Sequence, residues 1–297
     1  MTTDAAPPLL AVEGLVKHYR ARRHRGRRPA ASVIHALCGP TFQLDRGETF
    51  GVVGESGSGK TTLLRTILGL ETPTAGRVLF DGVDVTGLPN DRHAQTFRRA
   101  VSVVFQDPYM SLDPRMTVAD ILREPAQVHR QPLPDKRIGE LLDQVRLPRT
   151  SMGRFPHEFS GGQRQRIAIA RSLALDPALV VLDEPVSSLD VSVQAEILAL
   201  LQDLQQSRQV AYLLVAHDLA LVADISHRVG VMYGGQMVEQ GPAGSVIRTP
   251  GHPYSQALLA AVPVPDPHVQ RTRLHTPPPP WPRPDSPAAD CSFGDVV

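Results

Sequence analysis

The sequence predicts an α/β fold in which the strands of a parallel sheet alternate with helices. Residues 179–182 and 210–216 are uninterrupted apolar runs, as in strands that are buried on both faces of such a sheet. Between them, residues 191–204 carry apolar side chains at helical spacing. The order strand, helix, strand is typical of βαβ units and therefore of a parallel sheet.

The N-terminal part of the chain contains further expected elements of this sheet domain. Glycine, proline and aspartate separate short apolar runs here, which is typical of strands joined by turns. In chain order we expect a strand at residues 9–16 that ends near Tyr19, short strands between residues 33 and 50, a buried strand at 50–53, a helix at 60–70, and strands at 76–82 and 101–105.

Residues from about 108 to 175 differ from this pattern because they look mainly helical, and we expect a helical subdomain inserted in the sheet domain. Prolines are expected to break its helices, at Pro125, Pro132, Pro134 and Pro148. Beyond residue 263 the composition changes again, and residues 276–284 form a proline tract. We therefore expect one domain over residues 1–265 and an extended, disordered tail over 266–297.

Composition narrows the possible function classes. A hydrophobic content of 41% is enough to bury a core, which excludes wholesale disorder, and a net charge of +1 gives no global signal for nucleic acid. Cys38 and Cys291 provide no disulfide framework, so we expect a reducing compartment. The N-terminus does not resemble a signal peptide, and no apolar run approaches the ~18–20 residues that span a bilayer. A membrane role would therefore act through partners.

An arginine-rich run follows the first strand. Residues 20–28 contain six arginines, one histidine and one glycine without apolar periodicity, which indicates a loop. Two interpretations remain open, a solvated insertion or a contact with nucleic acid or anionic lipid. The solvated insertion is the favoured one.

A glycine-rich loop follows the strand at residues 50–53 and precedes a predicted helix. It matches the pattern G-x-x-x-x-G-K-[ST], in which glycines let backbone amides curl around phosphate oxygens while the helix directs its positive end at the anion. Lys60 supplies a mobile positive charge, and Thr61 supplies a hydroxyl ligand for Mg²⁺. The expected nucleotide-binding residues of this segment are Gly54, Glu55, Ser56, Gly57, Ser58, Gly59, Lys60, Thr61 and Thr62.

Two acids follow the apolar strand at residues 179–182. Asp183 and Glu184 precede Pro185, and the carboxyl end of a parallel strand faces the crevice where open α/β sheets bind ligands. Asp183 can hold Mg²⁺ through its water shell, and Glu184 can polarise the attacking water. With the glycine-rich loop, these acids predict hydrolysis of a nucleoside triphosphate.

A second glycine motif carries a family resemblance. Phe159-Ser160-Gly161-Gly162-Gln163 precedes a helix-forming stretch, and the Ser160 hydroxyl and the glycine amides would form another anion cradle. The motif resembles the signature of ABC ATPases, with Phe159 where leucine is commoner. The resemblance implies a P-loop NTPase-type parallel sheet core with an antiparallel β subdomain and an inserted helical subdomain. It also implies that the motif contacts a nucleotide held by a second ATPase subunit.

The same resemblance gives roles to four more positions. Tyr19 lies where the family places an aromatic residue that stacks on adenine, and Gln106 resembles the residue that contacts Mg²⁺ and water. Asp190 ends residues 188–190, which resemble the loop that crosses between subunits, and His217 resembles the γ-phosphate contact. The expected catalytic residues are therefore Glu184, His217 and Gln106, and the expected metal ligands are Thr61, Gln106 and Asp183.

Three segments resemble the ATPases of oligopeptide, dipeptide and nickel importers, a group in which the arginine-rich insertion also occurs. They are residues 105–115, residues 192–195, and residues 252–259 with 262–265. The resemblance implies ATP and Mg²⁺, a second ATPase subunit that is identical or paralogous, and two integral-membrane permeases. It further implies a peripheral position on the cytoplasmic face of the membrane, an extracytoplasmic solute-binding protein as an indirect partner, and no nucleic acid.

One departure from the subfamily concerns its C-terminal segment, which is often cysteine-rich and in some members holds an iron–sulfur cluster. Only Cys291 is present in that part of this chain. One thiol cannot supply four cluster ligands, so we expect no cluster.

Three alternatives to a peptide importer remain. ABC ATPases that act as DNA clamps usually carry long coiled coils, and no sustained heptad run is present here. An ABC-like subunit of a soluble enzyme complex, as in the phosphonate-cleaving system, would resemble peptide importers closely. An exporter ATPase is disfavoured by residues 252–259. The transported substrate stays open.

Overall fold

The computed structural model describes residues 7–20, 33–88 and 91–261. The predicted tail at 266–297, and residues 21–28 of the arginine-rich run, lie outside this description. The chain divides into two compact units, of which the first comprises Met1–Leu44, Phe50–Asn90 and His217–Val297 and the second comprises Asp45–Thr49 and Asp91–Ala216.

The strands and helices that the sequence predicts occur in the predicted order, and the structure has further elements at residues 92–100 and beyond residue 216. The strands are β1 (Leu10–Arg20), β2 (Val33–Cys38), β3 (Phe42–Leu44), β4 (Thr49–Val53), β5 (Ala75–Phe80), β6 (Val83–Asp84), β7 (Val101–Val104), β8 (Leu179–Asp183), β9 (Ala211–Ala216), β10 (Arg228–Tyr233) and β11 (Gln236–Pro242). The helices are α1 (Lys60–Ile67), α2 (Arg92–Ala100), α3 (Pro108–Ser111), α4 (Val118–Val128), α5 (Asp135–Gln144), α6 (Gly161–Ser172), α7 (Val191–Arg208), α8 (Leu219–Ile225), α9 (Ala243–Arg248) and α10 (Pro253–Ala260). None of the helices in the described part of the chain has both the length and the apolar character that crossing a bilayer requires.

An antiparallel sheet forms one part of the first unit. β1 lies at its centre and pairs with β2, β3 and β5, while β6 extends the sheet beyond β5. β1 ends at Arg20, close to the predicted end near Tyr19, and β2 pairs with its C-terminal half, with Tyr19 opposite Ile34. This sheet confirms the antiparallel β subdomain that the family resemblance implied.

Parallel pairing in the first unit joins β4 to β10, from Phe50 opposite Arg228 to Val53 opposite Val231. All five residues of β4 are buried, as expected of a strand that is covered on both faces. Phe50 stacks on Phe42 with ring centroids 4.6 Å apart. Burial of one such ring contributes about 1.5–3 kcal/mol, so this pair helps to anchor the strand that leads into the glycine-rich loop.

Parallel pairing in the second unit joins β8 to β7 on one side and to β9 on the other. Helix α7 lies between β8 and β9 in the chain, so the predicted βαβ unit is confirmed. The buried residues of α7 include the predicted apolar face, which consists of Ile197, Leu200, Leu201 and Leu204.

One prediction about the helical segment is wrong, because Pro125 lies inside α4 and does not end it. Its ring removes one hydrogen bond, to the carbonyl of Ile121. The buried side chains of Leu122 and Ala126 continue the apolar face past the proline, so packing outweighs that loss. The other prolines lie outside the helices as predicted, and they are Pro132, Pro134 and Pro148.

Candidate functional site

The first unit places the glycine-rich loop between β4 and α1. Gly57 and Gly59 have φ angles of 84° and 105°, in the left-handed region that favours glycine. Gly59 is the N-cap of α1, and a Cβ at this position would lie 2.5 Å from the carbonyl oxygen of Ala36. Because the N-cap has no side chain, the first amides of α1 are left for an anion.

Lys60 is folded against this loop. Its Nζ donates to the carbonyl oxygens of Gly54 and Glu55 at 2.5 and 2.9 Å, and the residue is 7% exposed. Ser58 is also buried, and its Oγ has no hydrogen-bond partner among the described atoms. A buried ammonium solvated by neutral carbonyls and a buried hydroxyl without a partner fit a site for phosphate oxygens.

The tip of the loop faces solvent. Glu55, Ser56 and Gly57 are exposed, and so is Thr61 in the first turn of α1. Thr61 is therefore accessible to a ligand from solvent.

Tyr19, the expected adenine-stacking residue, is half-buried near the end of β1. The Lys17 ammonium lies 5.0 Å from the centroid of its ring and 3.2 Å from the Glu71 carboxylate. The Lys17 ammonium therefore lies near the Tyr19 ring.

The second unit brings two of the expected catalytic residues together. Gln106 and Glu184 follow the neighbouring parallel strands β7 and β8, whose carboxyl ends meet at one edge. The Nε2 atom of Gln106 donates a hydrogen bond to Oε2 of Glu184 at 2.9 Å. Asp183 and Gln106 line a cavity of about 430 Å³ at this edge. The predicted water-activating and metal-binding groups of this unit are therefore close neighbours.

The backbone of Glu184 is strained in a way that the sequence did not predict. Its φ angle is 47°, which is uncommon for a residue with a side chain and costs of order 1–3 kcal/mol. The Glu184 amide donates to the carbonyl of Val215 at 2.8 Å, and its carbonyl accepts from the Ser187 hydroxyl at 3.2 Å. These hydrogen bonds hold the Glu184 backbone in place at the end of the strand. Backbone strain of the kind shown by its φ angle is concentrated at functional sites.

The second glycine motif forms the N-terminus of α6. Ser160 is the N-cap, with its Oγ accepting from the Gln163 amide at 3.3 Å and its own amide donating to Oε1 of Gln163 at 3.0 Å. Ser160, Gly161 and Gln163 are exposed. A Cβ on Gly162 would lie 2.5 Å from Cγ1 of Val193, so only glycine lets α6 start this close to α7.

Asp190 caps the helix that packs on this motif. Its carboxylate accepts from the Ser192 hydroxyl at 2.6 Å and from the Val193 amide at 3.0 Å. The hydrogen bond from Ser192 lowers the pKa of Asp190 below its ordinary value. His217 is exposed and directly follows β9.

One contact to the glycine-rich loop was missed by the sequence reasoning. The hydroxyl of Tyr254, on α10, accepts a hydrogen bond from the backbone amide of Glu55 at 3.1 Å. No local pattern connects residues so far apart in the chain. The only available signal was that Tyr254 belongs to residues 252–259, one of the segments with a subfamily resemblance.

Oxygen ligands of the kind that Mg²⁺ prefers are present in both units. The first unit supplies the hydroxyl of Thr61, and the second supplies the carboxylate of Asp183 and the side-chain amide oxygen of Gln106. Since the Nε2 atom of Gln106 engages Glu184, its Oε1 atom is the one suited to a metal. Each unit therefore contains oxygen donors of a type that suits this ion.

A family model described as "ABC transporter" matches residues 37–187 of this 297-residue chain. The matched stretch contains the glycine-rich loop, the signature motif and the acids at the end of β8. The chain belongs to the ABC transporter family. This ABC protein is accordingly a nucleotide-binding ATPase. A second model, described as the C-terminal region of oligopeptide/dipeptide transporters, matches residues 238–295.

Relatives of this ABC ATPase include the oligopeptide transport ATP-binding protein OppF of Bacillus subtilis, with 45% identity over 270 residues that cover 90% of this chain and 86% of the relative. The glutathione import ATP-binding protein GsiA of Salmonella paratyphi A is 48% identical over 275 residues, which cover 92% of this chain and 44% of that protein.

Solved structures of ABC cassettes have the same fold. The cassette cbiO1 of Clostridium perfringens, part of the transporter complex cbiONQ, aligns with a TM-score of 0.68 and 27% identity over 82% of this chain and 92% of its own. The cassette MJ0796 in a dimeric post-hydrolysis state with ADP and Pi aligns with a TM-score of 0.67 and 27% identity over 79% of this chain and 98% of its own. The predicted ABC ATPase fold is confirmed.

Proposed function

We propose that this ABC ATPase binds and hydrolyses ATP to energise a membrane importer for peptides or similar small solutes. One observation carries the hydrolytic part: Glu184, at the end of β8, is hydrogen-bonded by Gln106 beside the Asp183 carboxylate. The importer part is supported by the match of residues 238–295 and by relatives named for oligopeptide transport and glutathione import.

The first unit would hold the nucleotide. Tyr19 would stack on adenine, and Lys60 would exchange the carbonyls of Gly54 and Glu55 for oxygens of the β- and γ-phosphates. The exchange is favourable because a charge-assisted hydrogen bond is stronger than one to a neutral carbonyl. The loop amides and first-turn hydroxyls would complete the cradle, from residues Gly54, Glu55, Ser56, Gly57, Ser58, Gly59, Thr61 and Thr62.

Most of the expected hydrolytic groups belong to the second unit, while Thr61 and His217 belong to the first. Thr61, Gln106 and Asp183 would bind Mg²⁺, which when present draws electron density from the phosphate oxygens. Glu184 would orient the attacking water and accept its proton, while the amide of Gln106 keeps the carboxylate in place. His217 would contact the γ-phosphate.

A second ATPase subunit, identical or paralogous, would complete each nucleotide site. Ser160, Gly161 and Gln163 are exposed, and we propose that these residues, with Gly162 and Asp190, face the nucleotide held by the partner subunit. The exposed amides at the N-terminus of α6 suit a γ-phosphate whose other side is already bound by the glycine-rich loop of the partner.

The surface next to Gln106 would dock the permeases. Phe105 and Tyr109 are 44% and 65% exposed, and the Arg164 guanidinium lies 4.7 Å from the Tyr109 ring centroid. Exposed aromatic residues of this kind are enriched at protein interfaces. We propose two integral-membrane permeases as direct partners, a peripheral position on the cytoplasmic face of the membrane, and an extracytoplasmic solute-binding protein as an indirect partner.

The substitution Glu184→Gln tests the hydrolytic part. It keeps the shape of the side chain and one oxygen that can accept the hydrogen bond from Gln106, but it removes the basic carboxylate. We therefore expect ATP binding to persist while turnover falls by roughly 100-fold or more and closed dimers accumulate. Phosphate release and size-exclusion chromatography with Mg-ATP measure both. Glu140→Gln, which affects a surface ion pair on α5, is the matched control. Full hydrolysis by Glu184→Gln would show that Glu184 is not the base.

Copurification tests the importer part. Expressed in its own cell and extracted from detergent-solubilised membranes, the tagged chain is expected to carry two hydrophobic permease subunits with it. Recovery with soluble enzyme subunits instead of permeases would support the alternative of a soluble ABC-like complex.

A further inference from the structure

A tyrosine from the C-terminal part of the first unit contacts the phosphate-binding loop. Tyr254 is 4% exposed, and its hydroxyl accepts a hydrogen bond from the backbone amide of Glu55 at 3.1 Å. Glu55 is the second residue of the loop, next to the point where the chain leaves β4. The hydrogen bond joins residues 199 positions apart, so the loop depends on a distant part of the chain.

The Glu55 backbone links this tyrosine to the loop's only cation. Its carbonyl oxygen accepts from Nζ of Lys60 at 2.9 Å and from the amide of Ser58 at 3.1 Å. The amide of Glu55 is bound to Tyr254, and its carbonyl helps to position the ammonium. Loss of the Tyr254 hydroxyl would therefore alter the position of the Lys60 ammonium, the group that is expected to bind the phosphates.

Tyr254 is itself firmly placed. Its ring lies against Tyr233, at the end of β10, with centroids 4.3 Å apart. Its backbone amide donates to Nδ1 of His252, and the Glu239 carboxylate accepts from the amides of Gly251 and His252 at 2.7 and 3.1 Å. The start of α10 is thus tied to β11, which pairs with β10.

The hydroxyl of Tyr254 is uncharged near neutral pH, as tyrosine hydroxyls ordinarily are, and burial raises the pKa of this side chain further above the usual value. A neutral hydroxyl can accept the Glu55 amide without placing a negative charge beside a phosphate site. This matters because a phenolate at the same point would repel the nucleotide.

We propose that Tyr254 is a positioning residue of the nucleotide site, whose hydroxyl fixes the Glu55 peptide and through it the conformation of the phosphate-binding loop. The C-terminal region that matches oligopeptide/dipeptide transporters then contributes a residue, Tyr254, that supports the ATP site of this chain. The inference rests on the proposed binding of ATP by the loop.

The substitution Tyr254→Phe in the full-length chain tests this inference, since it removes one oxygen atom and keeps the ring. Tyr212→Phe is the matched control, because it also removes a buried hydroxyl that is hydrogen-bonded to the backbone, at the carbonyl of Leu201, but on β9 in the second unit. Isothermal titration with Mg-ATP measures affinity, hydrogen–deuterium exchange of loop peptides reports on the Glu55 amide, and thermal unfolding reports on stability.

We expect Tyr254→Phe to weaken Mg-ATP binding roughly three- to tenfold, in keeping with the loss of one hydrogen bond, and to speed exchange of the loop amides. Tyr212→Phe is expected to lower the unfolding temperature comparably while leaving affinity and loop exchange unchanged.

Two results would overturn the inference: wild-type affinity and loop exchange in Tyr254→Phe, or equal weakening in both variants, which would indicate general destabilisation. A Lys60→Ala variant distinguishes a failure of the inference about Tyr254 from a failure of the proposed ATP binding by the loop. If Lys60→Ala binds Mg-ATP as tightly as the wild type, the loop is not the ATP site and both proposals fall. If Lys60→Ala loses binding and Tyr254→Phe does not, only the role of Tyr254 is wrong.

Discussion

Two glycine motifs in this ABC ATPase precede helices, but they are built differently. The loop before α1 turns through left-handed glycines and packs Lys60 and Ser58 inside its own unit. The motif before α6 is an ordinary capping box between Ser160 and Gln163, and most of it faces solvent. Both present the positive end of a helix, equivalent to about half an elementary charge.

The difference teaches that a helix N-terminus alone does not make a complete nucleotide site. The first motif adds a cation and a buried hydroxyl that has no hydrogen-bond partner among the described atoms, so we expect it to bind phosphates without a second chain. The second has no cation within residues 160–163, and the following Arg164 is engaged with the Pro156 carbonyl and the Tyr109 ring. Such a motif is suited to complete a site that another subunit has begun.

Removing the cation from the first motif should have the largest effect. Lys60→Ala is expected to weaken Mg-ATP binding about 100-fold, because it deletes charge-assisted hydrogen bonds to the phosphates. Lys136→Ala, which removes an exposed lysine from α5, is the control and should bind normally. Equilibrium titration with a fluorescent ATP analogue checks both, and unchanged affinity in Lys60→Ala would remove the distinction between the two motifs.

Crowding the second motif should come next in size. Gly162→Ala places a Cβ 2.5 Å from Val193, so we expect a loss of about 1–3 kcal/mol of unfolding free energy and reduced ATPase activity, with ATP binding by the first motif retained. Val193→Ala in the same chain should restore much of the stability.

The neighbouring Gly161→Ala is the control for that experiment, since its Cβ would make ordinary contact with Leu189 at 3.4 Å. Urea unfolding gives the free energies. Equal destabilisation by the two alanines would contradict the packing argument.

Removing the cap of the second motif should have a smaller effect. Ser160→Ala is expected to cost about 1 kcal/mol of unfolding free energy and to slow ATP turnover, again without weakening ATP binding to the isolated subunit. Comparing steady-state turnover with equilibrium binding separates the two roles. Weaker binding by the isolated subunit would mean that this motif contacts nucleotide within the same chain.

The smallest expected effect concerns the acid that caps α7. Ser192→Ala should raise the pKa of Asp190 toward its ordinary value of 3.8, since the Ser192 hydroxyl is the main cause of the lowered pKa. A carboxylate whose pKa is lower in the folded state stabilises the fold at pH values above its pKa in the unfolded state. This stabilisation is lost as the pH falls through its pKa in the folded state. Carbon-detected NMR titration below about pH 5 checks the shift, and an unchanged Asp190 pKa would contradict it.

Sequence motifs predicted the parts of this site that local chain geometry determines. The loop before Lys60 and the acids at the end of β8 depend on strand ends and turns only a few residues long, and the structure has both in the expected context. The family resemblance supplied the antiparallel sheet and the expected partners.

Contacts between distant parts of the chain could not be predicted. Tyr254 meets Glu55, and Val193 meets Gly162, through packing that no local pattern encodes. Pro125 shows the same limit, since tertiary packing of α4 outweighs a local helix-breaking preference. The domain boundary at residue 265 and the disordered tail at 266–297 stay predictions.

A crystal structure of the full-length Glu184→Gln variant with Mg-ATP is the most direct test of the central claim that residues 54–61 grip the terminal phosphates. We expect phosphate oxygens within about 2.7–3.2 Å of the loop amides and of Nζ of Lys60, which will have left the carbonyls of Gly54 and Glu55. Two results would contradict the account. One is a nucleotide bound away from residues 54–61, and the other is a nucleotide at the loop while Nζ of Lys60 still donates to the carbonyls of Gly54 and Glu55.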